Sequence, residues 1–597
     1  MTTEHPPSAL ARRRFVQGVA SAGAFAALQP GHGAQAAGSQ QVLSGTEFKL
    51  ELGQLPINIT GRAMAATAIN GQIPGPILRL REGDTVTLSV TNRLAFTSSL
   101  HWHGLRVPSP MDGVPGFSFN GIAPGQTFVY RFPLRQSGTY WYHAHGPEEQ
   151  TGVYGSIVIE PKGGFAQPFD RDYVVVLSDW SDESPLKIVG NLKFQSDYYN
   201  YNRRTLGTFI KDSKRDGVGP TVQDRLMWGN MRMSPTDILD VSGATYTYLM
   251  NGQPPAANWT ALFRPGERVR LRFIDAGAMS IFDVRIPGLP MTVVQTDGND
   301  IVPVTVDEFR IAPGETYDVI VHPAEARAFT IFAQAQDRTG FARGTIAPRA
   351  GLSAAIPAMD PRPMRTMADM GMEHGAMGHG GMSDAGSGNS MAGMDHSSMP
   401  GMQHGNMPAT NAAPPGPGAM ADMPQDTGAA RLEGRVGVDN VAMVPKSRLS
   451  EPGDGLDGNG RRVLLLTDLR SPKRGNDPRP ATREIVMHLT GNMERFMWSF
   501  DGTKFSDAAP IMLWLGERVR FTLINDTMMD HPMHMHGVWS ELENGQTDYR
   551  PYKHTILVKP AERLSFLVSA DEPGRWAFHC HLLYHMELGM MREVRIS

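Results

Sequence analysis

The chain has 597 residues, with 60 Asp and Glu against 56 Lys and Arg, a formal charge of -4. That balance excludes the basic face that nucleic-acid binding demands, and the length exceeds what one hydrophobic core fills, so several domains are expected. No apolar run reaches the ~20 residues of a membrane-spanning helix, and no membrane span is expected.

At the N-terminus, Arg12-Arg13-Arg14-Phe15-Val16 precedes a weakly apolar stretch from Gly18 to Leu28, and Ala34-Gln35-Ala36 supplies an A-x-A cleavage site. The paired arginines resemble a twin-arginine signal. Residues 1–36 therefore read as a signal peptide, with the twin-arginine translocase as partner and the periplasm as destination. Export normally brings disulfides, yet this chain has one cysteine, Cys580. Its thiol is retained for chemistry rather than cross-linking.

Short runs rich in Val, Thr, Phe and Ile between Gly and Pro turns then dominate, the pattern of β-sandwiches. A repeat is visible. "GDTVTLSVTN" from Gly83 returns as "GERVRLRFID" from Gly266 and "GERVRFTLIN" from Gly516. Each is followed by a second motif: "APGQTFVYRF" from Ala123, "APGETYDVIV" from Ala312 and "KPAERLSFLV" from Lys559. The first interval is 183 residues; the second is 250, of which 65 belong to an odd segment, Met359 to Met423, leaving 185. The chain reads as three sandwiches with an insertion before the third. Farther along, the outer units end in "YHAH" and "FHCH", where the middle one has Ala333-Gln334-Ala335. The middle unit keeps the strand without the histidines and reads as a spacer.

Four His-x-His pairs stand out: His101/His103, His143/His145, His534/His536 and His579/His581. On a strand, residues i and i+2 share a face, so each pair presents two imidazoles together, and imidazole suits Cu, Zn, Fe or Ni. In "HCH", Cys580 faces away from its neighbours and serves a separate metal. His585 and Met590 can fold back to its sulfur, and His531, offset by three from His534, can join them. His531, Cys580 and His585 with a weak axial Met590 form the donor set of a blue-copper electron-transfer site, since the thiolate selects copper; a structural zinc site is the alternative.

"HWHG" at 101, "YHAHG" at 142, "HPMHMHG" at 531 and "HCHLLYHMELGM" at 579 resemble, in order, the four copper motifs of multicopper oxidases. "MDGVPGFSFNGIAPGQTFVYRF", "SDYYNYNRR", "RMSPTDILDVSG" and "ERFMWSFDG" more specifically resemble the periplasmic copper-resistance oxidases. The resemblance implies an all-β fold of three cupredoxin-like Greek-key β-sandwich domains, at 45–162, 170–350 and 431–597, with a disordered Met-rich insertion at 359–423. It implies four copper ions: type 1 at His531, Cys580, His585 and Met590; type 2 at His101 and His534; a type 3 pair at His103, His143, His145, His536, His579 and His581. Electrons would enter near the surface through His531 or His585 and be conducted by Cys580, His579 and His581, and Asp112 matches a carboxylate implicated in proton supply; as a bare sequence position it is also a turn residue before Gly113. Some relatives place a proton-donating Glu directly after the last type 1 histidine, where this chain has Met586.

The 359–423 segment has 14 Met and four His but no Leu, Ile, Val, Phe, Tyr or Trp. Such a stretch cannot bury a core, while thioether and imidazole at this density favour Cu(I). Met370, Met372 and Met377, with Met528 and Met529 beside His531, are candidates for holding substrate copper; ordinary packing is the alternative for the last two. The expected protein is a monomeric oxidase taking electrons from Cu(I), and from phenolic donors, and passing them to dioxygen. A copper-sequestering protein acting through its Met-rich segment is the competing reading; a two-domain nitrite reductase would need fewer cluster histidines.

Overall fold

The computed structural model describes residues 40–372, 432 and 434–597; the signal-peptide reading of 1–36 and the candidate Met377 fall outside them. The described residues form six sheets, two for each copy of the repeat. The first motif becomes the strands Thr85–Asn92, Val269–Asp275 and Arg518–Asn525. The second becomes Thr127–Pro133, Thr316–Val321 and Arg563–Ser569, each antiparallel to its first-motif strand. On its other side every first-motif strand has a parallel neighbour: Glu47–Ile57, Arg171–Ser181 and Arg483–Asn492. The same wiring three times over, with few helices, is the cupredoxin-like sandwich.

The copies differ in what covers them. Thr85–Asn92 alternates, with Val86, Leu88 and Val90 buried between half-exposed Thr and Ser. Val269–Asp275 is buried on both faces, although its sequence alternates Arg with apolar residues. The reason is ionic. Arg270 and Arg272 both reach the buried Asp318 carboxylate, at 2.6 and 2.8 Å, and Arg272 also donates to Thr139 of the first unit at 2.9 Å. This polar face is the seam between the first two sandwiches. Gly138, beside Thr139, lies against the backbone of Gly298; a Cβ there would sit 2.1 Å from the Gly298 carbonyl oxygen. The seam thus sets the height of the strand Gly138–His143.

Three helices, Pro185–Phe194, Leu206–Asp216 and Val218–Asn230, project from the middle unit. The sequence hides them because they carry little core: Leu206–Asp216 buries no side chain at all.

The insertion begins later than its composition implies. Residues 359–372 run as an extended arm ending in a short 3-10 turn, Ala368–Met370, with Met367 and Met370 buried. Its anchor is Arg365, fully buried, whose guanidinium donates to Asp530 at 2.6 Å and pairs with Asp454. Burial alone would raise the Asp530 carboxyl, but Arg365 and Arg310 outweigh it and bring it to about 2. A loose-looking stretch is therefore ordered by charge against the residue preceding His531, and disorder from 359 is corrected to order through 372. The remaining methionines of the segment lie outside the described residues.

Removing one partner of a buried ion pair costs about 3–5 kcal/mol, because the other charge stays behind unpaired. Arg365→Ala should lower the denaturant midpoint accordingly, while Arg365→Ala combined with Asp530→Asn should recover much of the loss.

Candidate metal centre

The ligand strands pair within one sheet of the first sandwich and one sheet of the third. In the first, His101–His103 pairs antiparallel with Gly138–His143, setting His101 opposite His143 and His103 opposite Trp141. In the third, His531–Met535 pairs with Gly574–Cys580, setting His534 opposite His579 and Met533 opposite Cys580. The middle unit has the equivalent pairing, Phe282–Arg285 on Phe329–Ala335, but there Gln334 bonds Asp360 and Asp283 bonds Arg310 and Arg338. Ion pairs occupy the space that imidazoles take elsewhere.

Period-two alternation sends Cys580 to one side of its strand and His579 and His581 to the other. On the thiol side, Sγ lies 3.5 Å from His531 Nδ1 and 3.7 Å from His585 Nδ1, and the two Nδ1 atoms are 3.1 Å apart. Each ring is held from behind. The Thr527 hydroxyl donates to Asn525 and so accepts from His531 Nε2 at 2.7 Å; His585 Nε2 faces Asp240 at 2.7 Å. Those outer bonds leave both Nδ1 atoms as lone pairs turned toward one another, an arrangement that calls for a cation between them. Burial pushes the Cys580 thiol well above its ordinary range, so only bound metal would hold it as thiolate. Trp498 stacks on His585 at 3.7 Å. Met590 is buried, and its carbonyl accepts from the Cys580 amide at 3.1 Å.

On the other side the eight remaining histidines converge. Their ligand atoms form three groups, each within 4.8 Å: His101, His103 and His534; His103, His143 and His581; and His145, His536 and His579. Each group draws on both outer sandwiches. The tautomers are fixed from outside: His101 Nδ1 donates to the Asp112 carbonyl at 2.8 Å, His534 Nδ1 to that of His554 at 2.7 Å, His579 Nδ1 to that of Cys580 at 2.9 Å, and His536 Nδ1 to the Asp112 carboxylate at 2.8 Å. His536 and His579 therefore present two Nε2 lone pairs to each other at 3.1 Å, and Nε2 of His101, His145, His534 and His581 has no hydrogen-bond partner among the described residues. Burial, followed by the neighbouring imidazoles, holds His103, His143, His145, His534, His536 and His581 well below the usual histidine range, and His579 at about 4. A packed set of neutral, inward-facing imidazole lone pairs fits metal, and with a buried thiolate alongside it fits copper.

Three placements differ from the sequence reading. First, the middle unit is more than a spacer. Gly314, in its "APGET" turn, packs on the cluster: a Cβ there would lie 3.0 Å from His581 and 3.1 Å from His103. Asp297 of the same unit accepts from the backbone amides of His554 and Thr555, at 3.1 Å each, and Asp240 holds His585. Second, Met528 and Met529 are 0 and 1 % exposed and Met370 is 1 % exposed, all in the central apolar core, with Met372 packed against its edge. That placement favours the packing role. Third, His531 and His585 are both fully buried, rather than close to the surface.

A buried acid beside the cluster was missed as well. Glu149, buried four residues after His145, sets Oε2 2.9 Å from His143 Nδ1 and Oε1 3.9 Å from His581 Nδ1. Burial, then Asp179 and Glu587, pushes its carboxyl well above the usual range. Glu587 follows at about 8, through burial and Glu148, and Glu148 sits at about 7, through burial. The signal was the "EE" of "HGPEEQ", which reads as an ordinary acidic turn.

Three cupredoxin-like sandwiches holding one thiolate–imidazole triangle and one eight-imidazole cluster define a copper oxidoreductase. Profiles of the Multicopper oxidase family match residues 52–164, 171–354 and 478–597, and the chain belongs to that family, with copper as its cofactor. It is 53 % identical to Copper resistance protein A of Escherichia coli, over 93 % of each chain. It is also 53 % identical to Copper resistance protein A of Pseudomonas syringae pv. tomato, over 99 % of this chain and all of that one. Solved structures share the fold at lower identity. A multi-copper oxidase from Pseudomonas thermotolerans superposes with a TM-score of 0.56 at 18 % identity, covering 93 % of this chain and all of the other. The Botrytis aclada laccase gives 0.58 at 20 % identity, covering 94 and 88 %.

Because Gly314 also adopts φ of +91°, any larger residue is strained there twice over. Gly314→Val should lower the copper bound per chain while sparing the blue absorption band of the thiolate site, read by metal analysis alongside the visible spectrum.

Proposed function

We propose that this oxidase accepts single electrons from Cu(I) at the Cys580 site, and from phenolic donors too, and delivers them to dioxygen at the eight-histidine cluster, in the service of copper resistance in the periplasm after twin-arginine export. The observation that carries the reading is the link between the two sites. His579 Nδ1 donates to the Cys580 carbonyl at 2.9 Å, so the thiol-bearing residue is joined to a cluster imidazole by backbone bonds and one hydrogen bond. The name of the relatives, Copper resistance protein A, supports the choice of substrate.

In this assignment His531, Cys580, His585 and Met590 hold type 1 copper, His101 and His534 type 2, and the triads His103/His143/His581 and His145/His536/His579 the type 3 pair. Bound copper would supply one-electron transfer and the place where dioxygen is reduced. The chain's own residues do the rest. Thr527 and Asp240 orient the type 1 rings, Thr527 through His531 Nε2 and Asp240, from the middle unit, through His585 Nε2. Asp112 ties His101 of the first sandwich to His536 of the third, holding the cluster together across the seam. Glu149 keeps a proton beside His143, and Glu587 and Glu148 lie behind it toward the half-exposed surface. This takes over the duty that a Glu at position 586 would perform.

Oxygen uptake on adding Cu(I) tests the reading: copper-loaded protein should consume oxygen, and Cys580→Ser should lose both this activity and the blue colour. Loss of uptake but not of copper tolerance in Cys580→Ser would favour sequestration, and uptake that survives Cys580→Ser would overturn the electron route through that residue. Glu149→Gln keeps the hydrogen-bonding shape without the proton and should slow turnover about 10²-fold while leaving the blue band in place. Deleting 373–431, which leaves the ordered arm intact, should raise KM for Cu(I) more than KM for a bulky phenol.

A further inference from the structure

The His101/His534 pair has a second approach, separate from the Cys580 route. A slot between the first and third sandwiches reaches His101, His534 and His554 and ends at Arg106 and Trp539; it is too tight to seat a water-sized sphere. Beyond the same two residues opens a surface vestibule of about 470 Å³, walled by the side chains of Asp477, Arg479, Glu541 and Tyr552. Arg106 and Trp539 line both spaces and separate them.

The two halves of this neck are anchored unequally. Trp539 is held by its indole N–H, which donates to the Gly104 carbonyl at 3.2 Å. Gln136 donates to the same carbonyl at 2.9 Å and accepts from the Arg106 amide at 2.8 Å. Gly104 directly follows His103, so the wall is tied to the ligand strand. The Arg106 guanidinium lies 5.8 Å over the Trp539 ring and reaches across the seam to Asp571 at 2.6 Å. That ion pair is exposed, with side-chain accessibilities of 24 and 49 %, and exposed pairs are weak. Releasing it lets the guanidinium swing into the vestibule. At the inner end, beside the His101 and His534 nitrogens that face the cluster, the Nε2 atom of His554, which belongs to no metal group, makes no hydrogen bond among the described residues, so the slot ends in a polar group that can bond a small polar guest.

We propose that Arg106 and Trp539 form a gate that admits water and small inorganic anions from the vestibule to the His101/His534 pair, Trp539 being the fixed wall and Arg106 the moving leaf. The gate acts on solutes, not on the electron donor, and so stands apart from the choice of substrate.

Azide is a suitable probe, because its binding to the copper-loaded, full-length protein is read from the growth of its charge-transfer absorbance after rapid mixing. Asp571→Asn, which leaves the core untouched and frees the guanidinium, should raise the azide association rate about fivefold. Arg106→Ala should raise it at least as much, and Trp539→Phe should keep the slow rate that Trp539→Ala loses. Rates equal to the parent protein in both Asp571→Asn and Arg106→Ala, with copper content and blue band unchanged, would overturn the gate. A slower rate in Arg106→Ala would overturn it too, by making Arg106 an attractor of anions. Failure of Cu(I) oxidation in the parent protein would leave these rates, and the inference, unaffected.

Discussion

A β-strand turns alternate side chains to opposite faces, and in Gly574–Cys580 that geometry decides where two metal environments stand. Cys580 faces His531 and His585; its immediate neighbours face the cluster. No loop or hinge lies between the two donor sets, so their separation is that of adjacent residues on a rigid, fully hydrogen-bonded strand. The rest of the molecule serves this arrangement. The first sandwich brings four imidazoles to meet the third, Asp112 and Thr555 bond across the seam, and the Arg270/Arg272–Asp318 network fixes the height at which the first sandwich's ligand strand stands.

Lone-pair opposition gives the site its chemistry. His536 faces His579, and His531 faces His585, through nitrogens that repel one another without a cation between them. The protein can hold them so because each ring's other nitrogen is tied to a carbonyl, carboxylate or hydroxyl, and because burial denies the rings a proton. Preorganisation of this kind is stored in the fold, and the metal repays it.

Much of this could be read in advance because it is local. The four His-x-His pairs, the offset of His531 from His534 and the repeated strand motifs are short-range patterns, and the structure puts the residues of each where strand parity sends them. What stayed hidden is long-range. Asp240 and Gly314 lie in a unit with no histidine motif, and nothing near them in sequence points to His585 or His581, hundreds of residues away in both cases. Glu149 looks like any acid in a turn until the third sandwich brings His581 beside it. The arm at 359–372 has the composition of a loose segment, and its order comes from Arg365 finding Asp530.

The distribution of donors between sandwiches has a consequence for biogenesis. The thiolate triangle belongs wholly to the third sandwich, but every group in the cluster mixes histidines of the first and third. A chain caught before its ends have met can present the donors of the triangle without completing any histidine group of the cluster. Assembly is thereby its own safeguard: the hazardous half of the reaction comes into being only with the finished protein.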